Sequence, residues 1–149
     1  MKPLCRPLIL CLVLLMAHDS QAQATRMIPR QLFNEYAASV PAPVNELDKA
    51  FSAAAGSTVA FNFSGKFAFS GTVISSLKKY NNLYTVVVTS PLLHDALFCI
   101  SKLINNDNTV TYVGRILNDK YADGYVLKKD NTGNYFFNKI KTTELIQDY

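Results

Sequence analysis

The sequence predicts an α+β fold that is predominantly antiparallel β. It reads as a meander of about six to seven strands, a twisted sheet or half-closed barrel, with one or two N-terminal helices packed on it. Three observations lead there. The hydrophobic period switches from helical to alternating near Gly56. Beyond that point, apolar runs recur every ~10 to 15 residues, separated by clusters of Asn, Asp, Gly and Pro. No interval between those runs is long and helical enough for a crossover helix, so successive strands are expected to pair antiparallel.

The first residues read as an address rather than as part of the fold. Lys2 and Arg6 form a basic head, residues 8–17 are uncharged and apolar, and Ala22-Gln23-Ala24 supplies a small-x-small cleavage site. The apolar run has about half of the ~20 residues that a spanning helix needs, which favours a cleaved export signal over a stable membrane anchor. Cys11 follows Leu8-Ile9-Leu10 with no small residue beside it, which argues against a lipid-anchored cysteine. The expected organisation is a cleaved signal peptide over residues 1–24, an N-terminal helical segment over 25–56 and an antiparallel β-domain over 57–149. The last two are expected to form one compact unit, secreted to the periplasm or the cell exterior.

In the N-terminal segment Pro29 suits a first helical position, and Leu32, Phe33 and Tyr36 recur at a spacing that makes one apolar face. Val40-Pro41-Ala42-Pro43 interrupts it, because proline disfavours helix in the residue ahead of it. Residues 44–55 read as a second helix, with Val44, Leu47, Phe51 and Ala54 on one side and Gly56 as its stop.

The strands follow. Val59, Phe61 and Phe63 alternate on the first, and Ser64-Gly65-Lys66 turns into a second that carries Phe67, Phe69, Gly71 and Val73 and reaches about Lys79. Asn81-Asn82 makes a two-residue hairpin loop, since asparagine tolerates positive φ. The third strand, 83–88, ends before Ser90-Pro91, and the fourth covers 96–104. Asn105 to Asn108 is a turn by composition, and 110–116 a fifth strand rich in β-branched residues. After a turn over 119–124, the sixth strand is 125–129. Asp130-Asn131-Thr132-Gly133 suits a longer hairpin closed by a left-handed glycine. The seventh strand is 134–140, and residues 142–146 extend it or form an edge.

Composition excludes several classes. Loss of Lys2, Arg6 and Asp19 from 15 basic and 11 acidic residues leaves a net charge of +3, too small and scattered to argue for nucleic acid. Cys5 and Cys11 leave with the signal, so Cys99 stands alone and no internal disulfide forms. Its apolar surroundings, Leu97, Phe98 and Ile100, make it a reduced core residue, dispensable for activity. With His94 the single remaining histidine, no His-rich metal site is expected. None of the oxygen-rich turns has the alternating ligands and distant glutamate of a calcium loop. No metal and no cofactor are expected. Asn62-Phe63-Ser64 matches a glycosylation sequon, with meaning only in a eukaryotic secretory path.

No catalytic residues are assigned. His94, in a loop, and Cys99, in a strand, are expected to point apart, so they make no nucleophile–base pair. No Gly-x-Ser-x-Gly elbow, His-Glu-x-x-His or phosphate loop occurs. The suggestive feature is basic–aromatic interleaving at hairpin ends, where Tyr80, Lys120, Tyr121, Lys128 and Lys129 could present a mixed recognition surface. The competing account is that the lysines guard strand edges while the tyrosines pack halfway into the sheet. The expectation is a non-enzymatic binding module with a protein or glycan partner. The absence of tryptophan weakens the sugar-binding reading. The alternatives are a small secreted enzyme with a site assembled from scattered residues, or an inhibitor-like or pro-segment-like accessory protein.

Overall fold

A computed structural model describes residues 30–146. The expected signal peptide, Cys5, Cys11 and the helix start at Pro29 lie outside the described residues. The elements are β1 (Ser39–Pro41), α1 (Val44–Ser52), β2 (Thr58–Ser64), β3 (Phe67–Tyr80), β4 (Leu83–Ser90), β5 (Ala96–Ile104), β6 (Val110–Leu117), β7 (Asp123–Lys129) and β8 (Tyr135–Lys141). Short 3-10 turns cover Pro91–Leu93 and Thr142–Ile146.

All eight strands form one antiparallel sheet in the order β1-β8-β7-β6-β5-β4-β3-β2. From β2 to β8 each strand pairs with its successor, the meander that short turns dictate. The sheet coils until its two edge strands, β1 and β2, meet, and α1 runs between them to complete a nearly closed barrel. The helix also supplies chemistry to the seam. Glu46 accepts Lys49 Nζ at 2.7 Å and the backbone N–H of Asn62 in β2, also at 2.7 Å. An edge-strand donor with no ladder partner is thereby satisfied. These two hydrogen bonds, Lys49 first, outweigh burial and hold the Glu46 carboxyl below its usual range. The stability they contribute is present above the ordinary carboxylate pKa and is lost as pH falls through the lowered one.

The interior is packed with aromatic rings. Phe98 lies 5.3 Å from Phe61, 5.6 Å from Phe69 and 5.5 Å from Phe137, centroid to centroid. Alternation explains the set: Phe61 and Phe63 on β2, Phe67, Phe69 and Val73 on β3, and Phe98 and Ile100 on β5 all face inward.

The structure departs from the sequence reading in several places. Residues 30–38 form no helix. They run as a strap of turns and bends, its N–H groups of Leu32 and Phe33 held by the Asp123 carboxylate. The spacing of Leu32, Phe33 and Tyr36 arises because Phe33 and Tyr36 insert beside Phe67. The interruption at Val40-Pro41 is itself a strand, β1, with Val40 opposite Phe137 of β8. Proline is tolerated there because an edge strand need not donate on both sides. Residues 142–146 coil into a 3-10 turn instead of extending β8. Among the described residues there are thus eight strands and one helix. That helix ends at Ser52, and Gly56, at φ +86°, makes the turn into β2.

Candidate functional site

Strand direction divides the barrel into two ends. The β3–β4, β5–β6 and β7–β8 hairpins close the upper end, and the β2–β3, β4–β5 and β6–β7 connections the lower one. Tyr80, Lys128 and Lys129 therefore lie at the upper end, while Lys120 and Tyr121 lie at the lower. The five residues do not form one surface. Tyr80 on β3 is further separated from Lys128 and Lys129 by the β5–β6 hairpin, and Lys129 instead stacks on Tyr135, its ammonium 5.6 Å from the ring centroid. Tyr121 gathers other partners: the His94 ring at 5.8 Å and the Arg30 guanidinium at 5.9 Å. His94 is exposed in its loop at φ 53°, and its backbone carbonyl accepts from Asn118 Nδ2.

A polar cluster that joins separate elements lies where α1 crosses the sheet. Asp48 Oδ1 accepts Lys102 Nζ at 2.7 Å and the Tyr112 hydroxyl at 2.6 Å. Burial pushes the Asp48 carboxyl up, but the hydrogen bonds from Lys102 and Tyr112 outweigh it and the net direction is down. Burial, then the hydrogen bond to Asp48, pushes the Tyr112 phenol up, so it stays a donor. Each group already holds a partner, and the cluster ties α1 to β5 and β6. Among the described residues, no group of His, Cys, Asp and Glu side chains is arranged to hold a metal ion.

The open surface is on the outside of the barrel. Because strand side chains alternate, the buried Val86, Val88, Phe98 and Ile100 leave Thr85, Val87, Leu97, Cys99 and Ser101 facing outward. Register then aligns them in rows: Val87, Cys99, Arg115 and Val126 across four strands, and Thr85, Ser101 and Val113 across three. With Leu145 from the C-terminal 3-10 turn, these residues line a groove of about 520 Å³. Arg115 is the one charged side chain in its lining. A second hollow, of about 360 Å³, continues downward past Leu97, Leu117 and Tyr121 and shares Leu145. Of the residues singled out from sequence, Tyr121 thus joins this surface, and Lys120 flanks it. Val113, 63% exposed, and Arg115 were missed. The signal was present: Val86-Val87-Val88 and Phe98-Cys99-Ile100 are apolar on both faces of their strands, although only one face meets the core.

Cys99 follows the same alternation, contrary to the expectation of a core thiol. It is half-buried on the outer face, not in the core, because Phe98 and Ile100 take the inward positions. A maleimide probe is therefore expected to label the folded protein without denaturant. Labelling that begins only on unfolding would contradict this placement. No family model matches the chain, and neither curated proteins nor solved structures include a significant match to it.

Proposed function

We propose that the protein is an exported, non-enzymatic binding module that recognises a protein partner through the outer face of β4–β7. The observation that carries the reading is the contrast between the two faces of these strands. The inward face is consumed by aromatic packing, while the outward one offers a groove of uncharged side chains around a single arginine. A surface with a continuous apolar centre and few charges is the composition of an interface core. The lower hollow extends it to Tyr121, an aromatic of the type that anchors recognition.

The test is capture of a partner from the medium in which the producing cells grow. Val113→Asp sets a charge in the middle of the groove and should weaken capture about tenfold or more, with thermal unfolding unchanged because the position is solvent-facing. Tyr121→Ala with Lys120→Ala should weaken it too, whereas Lys128→Ala with Lys129→Ala, at the other end of the barrel, should not. Equal capture by the Val113 variant would refute the surface. Substrate turnover by the purified protein that His94→Ala abolishes without unfolding it would refute the non-enzymatic reading.

A further inference from the structure

We infer that the overhanging edge of β3, residues 74–80, is a strand-addition site for an extended acidic segment of a partner protein. The inference rests on the reading of the protein as a binding module, but it concerns a surface that the groove does not include.

The overhang follows from unequal strand lengths. β2 stops at Thr58, opposite Thr72, and the preceding loop serves β3 only as far as Val73. There Gly56 N–H donates to the Val73 carbonyl at 2.7 Å, and Val73 N–H to the Ser57 carbonyl at 2.9 Å. β3 nevertheless continues to Tyr80, held on its other side by β4 as far as the Tyr80–Leu83 pair. In an antiparallel ladder alternate residues aim their N–H and C=O groups to opposite sides. Half of the backbone groups beyond Val73 therefore face a side on which no described element donates or accepts.

The side chains suit an occupant of one kind. Ile74, Leu77 and Tyr80 are 54%, 62% and 61% exposed, a cluster of large apolar groups on a single unpaired edge. Leu77 is in register with Thr85, Ser101 and Val113, so an added strand would widen the outer face already described. Between Asp48 and Asp95 the chain contains no acidic residue, and its charged side chains there are Lys49, Lys66, Lys78 and Lys79. Lys49 pairs with Glu46, whereas Lys78 and Lys79 stack on Tyr84 and Tyr80, at 5.4 and 5.7 Å, and among the described residues neither forms a salt bridge.

Lysines and bulges are also the devices by which edge strands avoid aggregation, and β3 has bulges after Val73 and after Lys78. Here those devices discriminate. A second copy pairing along the same edge would bring its own Lys78 and Lys79 against these two, with no acid to offset them. An acidic strand meets the same lysines with attraction, gains the free backbone groups, and lays alternate apolar side chains against Leu77.

The experiment uses a fluorescent, acetylated peptide alternating Glu and Val, and the same peptide methylated on alternate backbone nitrogens, followed by anisotropy with the full chain. The unmodified peptide should bind, and methylation should weaken it about tenfold or more, because a strand without its donors cannot add to an edge. Lys78→Glu with Lys79→Glu should weaken binding by a similar factor, about tenfold, while Val113→Asp leaves it unchanged. Amide hydrogen exchange of the native protein should slow over residues 74–80 when peptide is added. Absence of binding, equal binding of the methylated peptide, or indifference to the lysine reversals would overturn the proposal. So would a concentration-dependent dimer protected over 74–80 without peptide, which would make a second copy the occupant. Because Val113→Asp separates the groove from the edge, failure of one surface is distinguishable from failure of the other.

Discussion

Asp123→Ala is expected to release the N-terminal strap and destabilise the fold by about 3–5 kcal/mol. Asp123 is buried at the start of β7, and its two carboxylate oxygens accept the N–H groups of Leu32 at 2.6 Å and Phe33 at 2.9 Å. Hydrogen bonds to a charged acceptor are worth ~1.5–3 kcal/mol each, and alanine would leave the Phe33 donor unsatisfied in a buried site and the Leu32 donor in a half-buried one. The consequence spreads because the strap is a plug. Phe33 is wholly buried, its ring 5.1 Å from Tyr125 and 6.2 Å from Phe67, so loosening its backbone opens the lower end of the core. Further ties depend on the same path. The Tyr125 hydroxyl donates to the Ala37 carbonyl at 2.5 Å, and Lys139 Nζ to the Tyr36 carbonyl at 2.6 Å. Burial, then the Asp123 charge, pushes the Tyr125 phenol up to about 12, which keeps it a donor at physiological pH. Asp123→Asn retains one acceptor oxygen and should lose roughly half as much. Denaturant titration gives the stability, and hydrogen exchange over residues 30–38 identifies the strap as the region released. A wild-type midpoint for Asp123→Ala would show that the carboxylate does not hold it.

Gly71→Ala should cost about 3 kcal/mol or more, although it adds a single methyl group. A Cβ on Gly71 would lie 1.9 Å from the carbonyl oxygen of Thr89, 2.7 Å from its carbon and 3.1 Å from Ser90 Cα. All three are backbone atoms of β4, the neighbouring strand, so no side chain can rotate away. Overpacking typically costs ~1–3 kcal/mol when surroundings yield, and here the β3–β4 ladder itself would have to open. The glycine lets two strands approach closely where the barrel coils, beside the bulge that follows Val73. Gly65→Ala is the control: nothing lies within 4 Å of its Cβ, and the change should stay within about 0.5 kcal/mol. Equal unfolding midpoints for the two variants would mean that the close approach at Gly71 does not exist.

Local chemistry made most of the meander legible in the sequence. The β3–β4 hairpin turns at Asn81-Asn82 as expected, but without the positive φ expected of the asparagines, beside a bulge after Lys78; Gly133, at φ +92°, ends the β7–β8 turn as its position after Asp130-Asn131-Thr132 requires. Val59, Phe61 and Phe63 alternate because β2 has one buried face. These features need only near neighbours in the chain, so local chemistry is enough to specify the seven strands from β2 to β8, their antiparallel order and α1.

The rest depended on contacts between distant segments. Val40 becomes a strand only because β8, nearly a hundred residues on, supplies its ladder, with Val40 opposite Phe137. Leu32, Phe33 and Tyr36 have helical spacing, yet the Leu32 and Phe33 N–H groups are taken by the distant Asp123 carboxylate, and Tyr36 N–H makes only a local turn bond to the Phe33 carbonyl. Cys99 sits in a run apolar on both faces, and only cross-strand register with Val87 and Arg115 decides which face is outside. The same parity of strand direction sends Tyr121 to one end of the barrel and Tyr80 to the other, and it assembles the outer groove from residues on four strands. Closure of the sheet, the direction of each side chain and the overhang of β3 follow from how far each strand runs beside its partner, a quantity that no single segment of sequence carries.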